Sequence, residues 1–330
     1  MRQREVARVG RLLFALALLL PLLDTGRTML VAGAFLGEFL GGGRWRPLST
    51  LTSEPDRATI AVRGAAVARY VHPRATSRRP LVLVHGLTPD GKDDPRLAEA
   101  AALLARAGFD VAVPTVPGLT RLRLRPEDRD PVIATIATRD APTVVVGVSV
   151  GAGVAILASA DPAVRDRVRL VVSLGGYASA VDLVRYYLTG EYGAGGRRVH
   201  DPALVRMFVD ANADLIDDSA RRVLGAEDAA DVARGLATLS PELRHMLEAL
   251  SPVRVADDVR AELVLVHGRE DIAVPYTESV ALAARRPQRT RLVLVGVVEH
   301  VEAAPLSAAL WQVRDLFALW SVVYALVALA

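Results

Sequence analysis

Thr143-Val144-Val145-Val146-Gly147-Val148-Ser149-Val150-Gly151-Ala152-Gly153-Val154 decides the reading of this chain. Its first half is a short β-branched run, as a parallel strand buried on both faces requires. Its second half, 150–160, is small and apolar and fits a helix packed closely on that strand. Between them the chain must reverse within a few residues. Side chains two before or two after the turning residue would strike the strand or the helix, and glycine stands at both positions, 147 and 151. Ser149 is thereby expected in a strained backbone geometry with its hydroxyl above the carboxyl edge of a sheet. The N–H of Val150, at the helix N-terminus, is aimed where a negatively charged oxygen would form.

The surrounding sequence supplies the rest of such a sheet. Thr59–Val62 and Ala66–Val71 around Gly64 read as a hairpin. Pro80–Val84, Asp110–Pro114 and Leu170–Leu174 read as strands, with helices over Arg96–Ala107, about 127–138 and about 150–160 between them. Asp94-Pro95 caps and opens the first of these helices. After Gly175-Gly176 the alternation stops, and 178–258 carries helical signals only. It returns with Leu263–Val266, a helix near 276–285 and Arg291–Val295. The expected fold is α/β, a mostly parallel twisted sheet with helices on both faces. Residues 47–177 and 259–330 form its core, and 178–258 a helical insertion acting as a lid.

Four clusters carry chemistry. Ser149 is the expected nucleophile. His85-Gly86-Leu87, at the end of the Leu81–Val84 strand, supplies a second oxyanion donor, the Leu87 N–H opposite that of Val150, with His85 orienting the loop. His267-Gly268-Arg269-Glu270-Asp271-Ile272-Ala273-Val274-Pro275 places an acid just past a late strand. Asp271 is preferred to its neighbour Glu270 and to Asp182, farther back in the chain. His300, after Glu299, is the expected base, ahead of His72, His200, His245 and His267. The order Ser149, Asp271, His300 is that of a Ser-Asp-His constellation on such a sheet. In the insertion, Tyr177, Tyr186, Tyr187 and Phe208 are expected to line a substrate pocket, with flexible points at Gly190 and 193–196. Asp90–Asp94 lacks the further ligands of a calcium loop and reads as a solvated turn.

Through Val84-His85-Gly86, Gly147–Gly151, His267–Pro275 and Glu299-His300, residues 80–320 resemble the α/β-hydrolase superfamily. In general look they are closest to its dienelactone-hydrolase and prolyl-oligopeptidase-like branch, although dienelactone hydrolases usually carry cysteine at the elbow. The resemblance implies a serine hydrolase that cleaves a small-molecule carboxylic ester, thioester or lactone through an acyl-enzyme, with no cofactor and no metal. Two other readings stay open: an acyltransferase with the same triad, and a non-catalytic, membrane-tethered binding protein.

Composition bounds this further. The 330 residues are 52% hydrophobic and contain no cysteine, which excludes disulfide scaffolds, thiolate metal sites and a cysteine nucleophile. Net charge is +3, but residues 1–46 alone carry +4, leaving the remainder at −1. Nucleic-acid binding is therefore not expected, because the folded body holds no basic excess. Arg2, Arg4, Arg8 and Arg11 precede the apolar Leu12–Leu23, so 1–46 reads as a signal or anchor segment, and the chain as exported or membrane-associated. The alternatives are a cytoplasmic protein and an N-terminal helix packed on the body itself. The apolar Leu316–Ala330 must also be buried somewhere.

Overall fold

The computed structural model describes residues 23–42, 44–75, 78–193, 195–200, 202–296, 298–299, 302–303 and 312–330. Its main sheet has eight strands. β1 (Asp56–Val62) and β2 (Ala65–Val71) form the expected hairpin, turned by Arg63 and Gly64, both at positive φ as a two-residue hairpin turn needs. β3 (Arg79–Val84), β4 (Phe109–Pro114), β5 (Thr143–Val148) and β6 (Val168–Leu174) follow. Within the insertion lies a two-residue ribbon, β7 (Glu191–Tyr192) with β8 (Gly196–Arg197). β9 (Glu262–Gly268) and β10 (Thr290–Val295) complete the main sheet, and β11 (Val298–Glu299) pairs with β12 (Glu302–Ala303) beyond it. The order across the main sheet is β1-β2-β4-β3-β5-β6-β9-β10. β2 runs antiparallel to β1 and β4, and every other pair is parallel. Val84 lies opposite Gly147, and Val148 opposite Leu174. The loops after β3, β5, β6 and β9 therefore emerge side by side at one edge.

Alternate side chains of the central strands feed two cores. On one face Val82, Val84, Val145, Val171 and Leu265 pack with α4 (Asp130–Ala137), α5 (Val150–Ala160) and α12 (Thr277–Arg285). All eleven residues of α5 are buried, so its apolar circumference is fully used. On the other face Leu81, Leu83, Val144, Val146 and Val172 pack with α3 (Pro95–Arg106) and with helices from both chain ends. These are α1 (23–40) and α13 (Val313–Val327).

Of the stretch 1–46 read as a signal or anchor segment, the structure describes 23–42 and 44–46, and these follow the alternative of a helix packed on the body. Residues 23–40 are not a segment apart from the body. Ala32 and Phe35 join the core beside Leu326 and Val327, and Leu36 and Leu40 meet Leu319 and Val322 over β10. Glu38, in the last turn of α1, is buried. Its carboxylate accepts hydrogen bonds from the Ser49 N–H and hydroxyl, and Arg46 Nε lies 3.6 Å away. Ser49 belongs to α2 (Pro47–Leu51), so a paired, buried acid fastens the two helices together. Among the described residues no helix is long and apolar enough to cross a membrane. The stretch 1–22 lies outside the described residues.

The insertion leaves β6 and returns to β9 as α6 (Ala180–Thr189), α7 (Pro202–Ala211), α8 (Asp218–Leu224), α9 (Ala229–Ala237), α10 (Pro241–Ala249) and α11 (Pro252–Val255). Val223, Val232, Leu236 and Leu239 give it a small core of its own. Its two ends are tied to each other and to the body. Ser251 Oγ accepts from the Ala180 N–H, and Val253 N–H donates to Ala178 O. Glu278 Oε2, from α12, accepts from the N–H groups of Ala178 and Ser179 at 2.9 Å each.

Because α1 closes one face of the sheet, removing residues 1–46 should give an insoluble chain or one with a clearly lowered melting temperature. In the full chain, Phe35→Ala should cost about 3–5 kcal/mol in urea denaturation. A soluble truncated protein melting with the parent would contradict this packing.

Candidate active site

At the end of β5, Ser149 has φ +54° and ψ −132°, a region that costs a non-glycine residue about 1–3 kcal/mol. Its N–H donates to Leu174 O at 2.8 Å, and its carbonyl accepts from Ala152 N–H at 2.9 Å. The glycines around it are sterically required. A Cβ on Gly147 would lie 2.4 Å from the Ala152 Cα, and one on Gly151 would lie 2.0 Å from His85 O. One on Gly86 would lie 3.1 Å from Ser149 Cβ, so the loop after β3 runs directly over the serine.

That loop is fixed by His85, which is fully buried. Its Nδ1 donates to Gly86 O at 2.8 Å, and its Nε2 accepts from Val116 N–H at 2.9 Å. Burial lowers its pKa, in keeping with a neutral ring whose two nitrogens are both committed. The N–H groups of Leu87 and Val150 have no acceptor among the described residues. They are free to serve an oxyanion.

Two strands away, roughly 10 Å at ordinary strand spacing, the turn after β9 holds Asp271 at 1% exposure. Its Oδ1 accepts from the N–H groups of Ala273 and Val274 at 2.8 and 2.9 Å. Its Oδ2 lies 3.3 Å from His267 Nε2. His267 is buried, with Nε2 donating to Val274 O and Nδ1 accepting from Ser279 Oγ. Two tyrosines of α6 hold the outer side of the turn: Tyr186 Oη donates to Ile272 O at 2.8 Å and Tyr187 Oη to Ala273 O at 2.9 Å.

Between the insertion and the body lies a cavity of about 260 Å³. Leu87 and Val150 form part of its wall, together with Leu183, Tyr187, Phe208 and Leu243. Its lining is aliphatic and aromatic except for Arg123 and Asn212. Asn212 is fully committed. Its Nδ2 donates to Leu122 O and Phe208 O, and its Oδ1 accepts from Arg125, whose guanidinium also pairs with Asp214. These contacts clasp the 119–125 loop, with Leu122 at φ +56°, to the end of α7.

No protein-family model and no curated protein sequence matches the chain. Solved structures do. The 2,6-dihydroxy-pseudo-oxynicotine hydrolase superposes with a TM-score of 0.52 at 18% identity, covering 91% of this chain and 81% of that one. The Pyrococcus horikoshii acylaminoacyl peptidase gives 0.51 at 16% identity over 74% of this chain, which spans only 37% of the peptidase's length. A puromycin-hydrolyzing peptidase of Mycobacterium tuberculosis gives 0.50 at 18% identity, covering 78% of this chain and 37% of that one. The chain has the α/β-hydrolase fold.

On this α/β-hydrolase scaffold Ser149, Leu87, Val150 and Asp271 meet at one sheet edge. His300 lies outside the described residues. Of the other histidines, His85 and His267 spend both ring nitrogens on their own loops. His72 bonds Ser53 near the hairpin, and His245 is exposed on α10. His200 packs against the rings of Tyr186 and Tyr187 at 4.3 and 5.0 Å. Glu270 points outward to Arg198. Of the four residues expected to line the pocket, Tyr187 and Phe208 do so. Tyr177 and Tyr186 do not. Tyr177 is buried against α5, where a Cβ on Gly153 would lie 2.3 Å from its ring, and its hydroxyl donates to Leu250 O. Tyr186 is spent on the acid turn. The clasp of Arg125, Asn212 and Leu122 had no signal in the sequence, because it joins residues some 90 positions apart.

The strained serine makes a direct expectation. Ser149→Gly should stabilise the fold by about 1 kcal/mol, because glycine tolerates positive φ. Ser149→Ala, which keeps the strain, should stay within about 0.5 kcal/mol of the parent. Equal urea midpoints for the two variants would contradict strain at the elbow.

Proposed function

We propose that the chain is a serine hydrolase that cleaves carboxylic esters of apolar acids, with Ser149 as nucleophile, His300 as base and Asp271 as the acid that orients it. The observation that carries this reading is that Leu87 and Val150, the residues next to the strained serine whose N–H groups have no acceptor among the described residues, also line one apolar cavity. Catalysis of acyl transfer needs a nucleophile, an oxyanion site and a place for the acyl group, and these three adjoin here. An ester is favoured over a peptide because the lining offers little to pair with a peptide's amides. Its asparagine is spent internally, leaving Arg123 as its other polar side chain.

In the proposed reaction Ser149 Oγ bonds to the ester carbonyl carbon while its proton passes to His300 Nε2. The carbonyl oxygen takes the negative charge and accepts from the Leu87 and Val150 N–H groups. Collapse breaks the carbon–oxygen bond to the alcohol, which leaves with the proton from His300. Water then attacks the acyl carbon and gives a proton to His300, and as the carbon–Oγ bond breaks His300 returns that proton to Ser149 Oγ, releasing the acid. Asp271 would hold the imidazole in the right tautomer and stabilise the imidazolium. Its own orientation is fixed by the Ala273 and Val274 N–H groups.

A series of p-nitrophenyl esters tests this. kcat/KM should rise by up to about 4-fold per added methylene, the equivalent of about 0.8 kcal/mol of burial, until the cavity is filled, and then fall. Ser149→Ala should abolish both turnover and labelling by a fluorophosphonate. Persistent labelling in that variant, or a flat chain-length profile, would contradict the proposal.

A further inference from the structure

Helix α6 touches both halves of the site. Ala180, Leu183, Val184, Tyr187 and Leu188 give the cavity one wall, and the hydroxyls of Tyr186 and Tyr187 hold the carbonyls of Ile272 and Ala273. The next carbonyl, that of Val274, is held by His267. Three successive carbonyls of the acid turn are thus each fixed by a side chain.

These contacts converge on the peptide unit between Ala273 and Val274. Its N–H, that of Val274, donates to Asp271 Oδ1, and its carbonyl, that of Ala273, accepts from Tyr187. The Tyr187 ring meets that of Phe208, with centroids 5.7 Å apart, and both line the cavity. One side chain therefore touches the space an acyl chain would fill and the peptide that orients the acid. Burial pushes the Tyr187 pKa up, so its hydroxyl remains a donor throughout the range in which a histidine base titrates.

We propose that Tyr187 is a positioning residue that couples occupancy of the apolar cavity to the placement of Asp271. This rests on reading Asp271 as the acid of a serine hydrolase. An acyl chain packed against the Tyr187 ring holds its hydroxyl on Ala273 O and so keeps the N–H of the same peptide unit, that of Val274, on the carboxylate. The chain contributes to turnover as well as to binding. Binding energy from a remote, non-reacting part of the substrate is then used at the reacting centre. The other titratable and charged groups around the turn and the Tyr187 ring, among the described residues, are His267 and Tyr186, which bond the turn directly, Arg269 with Asp315, Arg198 with Glu270 on the outer side, and His200 against the tyrosine rings.

The test is Tyr187→Phe, which deletes one hydroxyl and keeps the ring against the cavity. Steady-state kinetics are compared on an acetyl ester and on an ester long enough to fill the cavity. With the long ester kcat should fall by about 5–10-fold while KM stays within about 2-fold, the pattern of an interaction used only in the transition state. With the acetyl ester kcat should change by less than about 2-fold, so the advantage of the long chain in kcat disappears. The acid-side limb of the kcat/KM pH profile, set by deprotonation of the base, should move to lower pH, because the imidazolium loses support from a less firmly held carboxylate. Tyr186→Phe, which loses a similar bond to the turn at a ring that does not line the cavity, should change the ratio of long to short kcat less than Tyr187→Phe does. An unchanged ratio and pH profile in Tyr187→Phe, with or without a lower melting temperature, would overturn the coupling. Asp271→Asn in the same assay separates the two levels: a large loss of kcat keeps the acid assignment whatever Tyr187 does. Parent-like kcat in that variant would remove the reading on which the coupling stands.

Discussion

Everything at this site depends on how closely three pieces of backbone approach at the end of β5. The strand, the first turn of α5 and the loop after β3 pass one another with no room for a single methyl group at Gly147 or Gly151. That contact goes with positive φ at Ser149 and sets Gly86, the neighbour of Leu87, directly beside the serine. A strained residue persists only where its surroundings over-determine it. Here the surroundings are a sheet packed on both faces, an entirely buried helix, and a neutral histidine that ties the adjoining loop through both ring nitrogens.

The acid turn solves a related problem by different means. A buried carboxylate costs free energy unless its oxygens are matched, and Asp271 is matched by backbone amides of its own turn. The turn's carbonyls are in turn held from outside, two of them by the insertion. The insertion therefore lines the cavity and also supports this turn. Its roots are clamped by Ser251 and Glu278, and its own small core stands across the cavity from the sheet.

What could be read from the sequence follows the range of the forces involved. The elbow was legible because its constraint is local: two glycines flank a serine between a β-branched run and a small-residue helix. The buried strands were legible as short apolar runs bounded by turn residues, and Asp271 stood out by its place after a late strand. The N-terminal helix was not legible. An apolar stretch beside arginines looks alike whether it enters a membrane or closes a core. What ties residues 23–40 to the body is the matching of Glu38 by Ser49 and Arg46, which only the tertiary structure brings together. The tyrosines of the insertion were visible as aromatic residues, but not their directions. Tyr177 and Tyr186 turn their hydroxyls onto distant backbone carbonyls, whereas Tyr187 also reaches the cavity.

The central claim is that the elbow serine, the two amides and the apolar cavity form one acyl site. A crystal structure of the protein inactivated by a medium-chain alkyl fluorophosphonate tests it most directly. The account predicts phosphorus bonded to Ser149 Oγ, a phosphonyl oxygen within hydrogen-bonding distance of the Leu87 and Val150 N–H groups, and the alkyl chain lying in the cavity beside Phe208 and Leu243. Phosphorus on another residue, or an alkyl chain directed into solvent with the cavity empty, would contradict it.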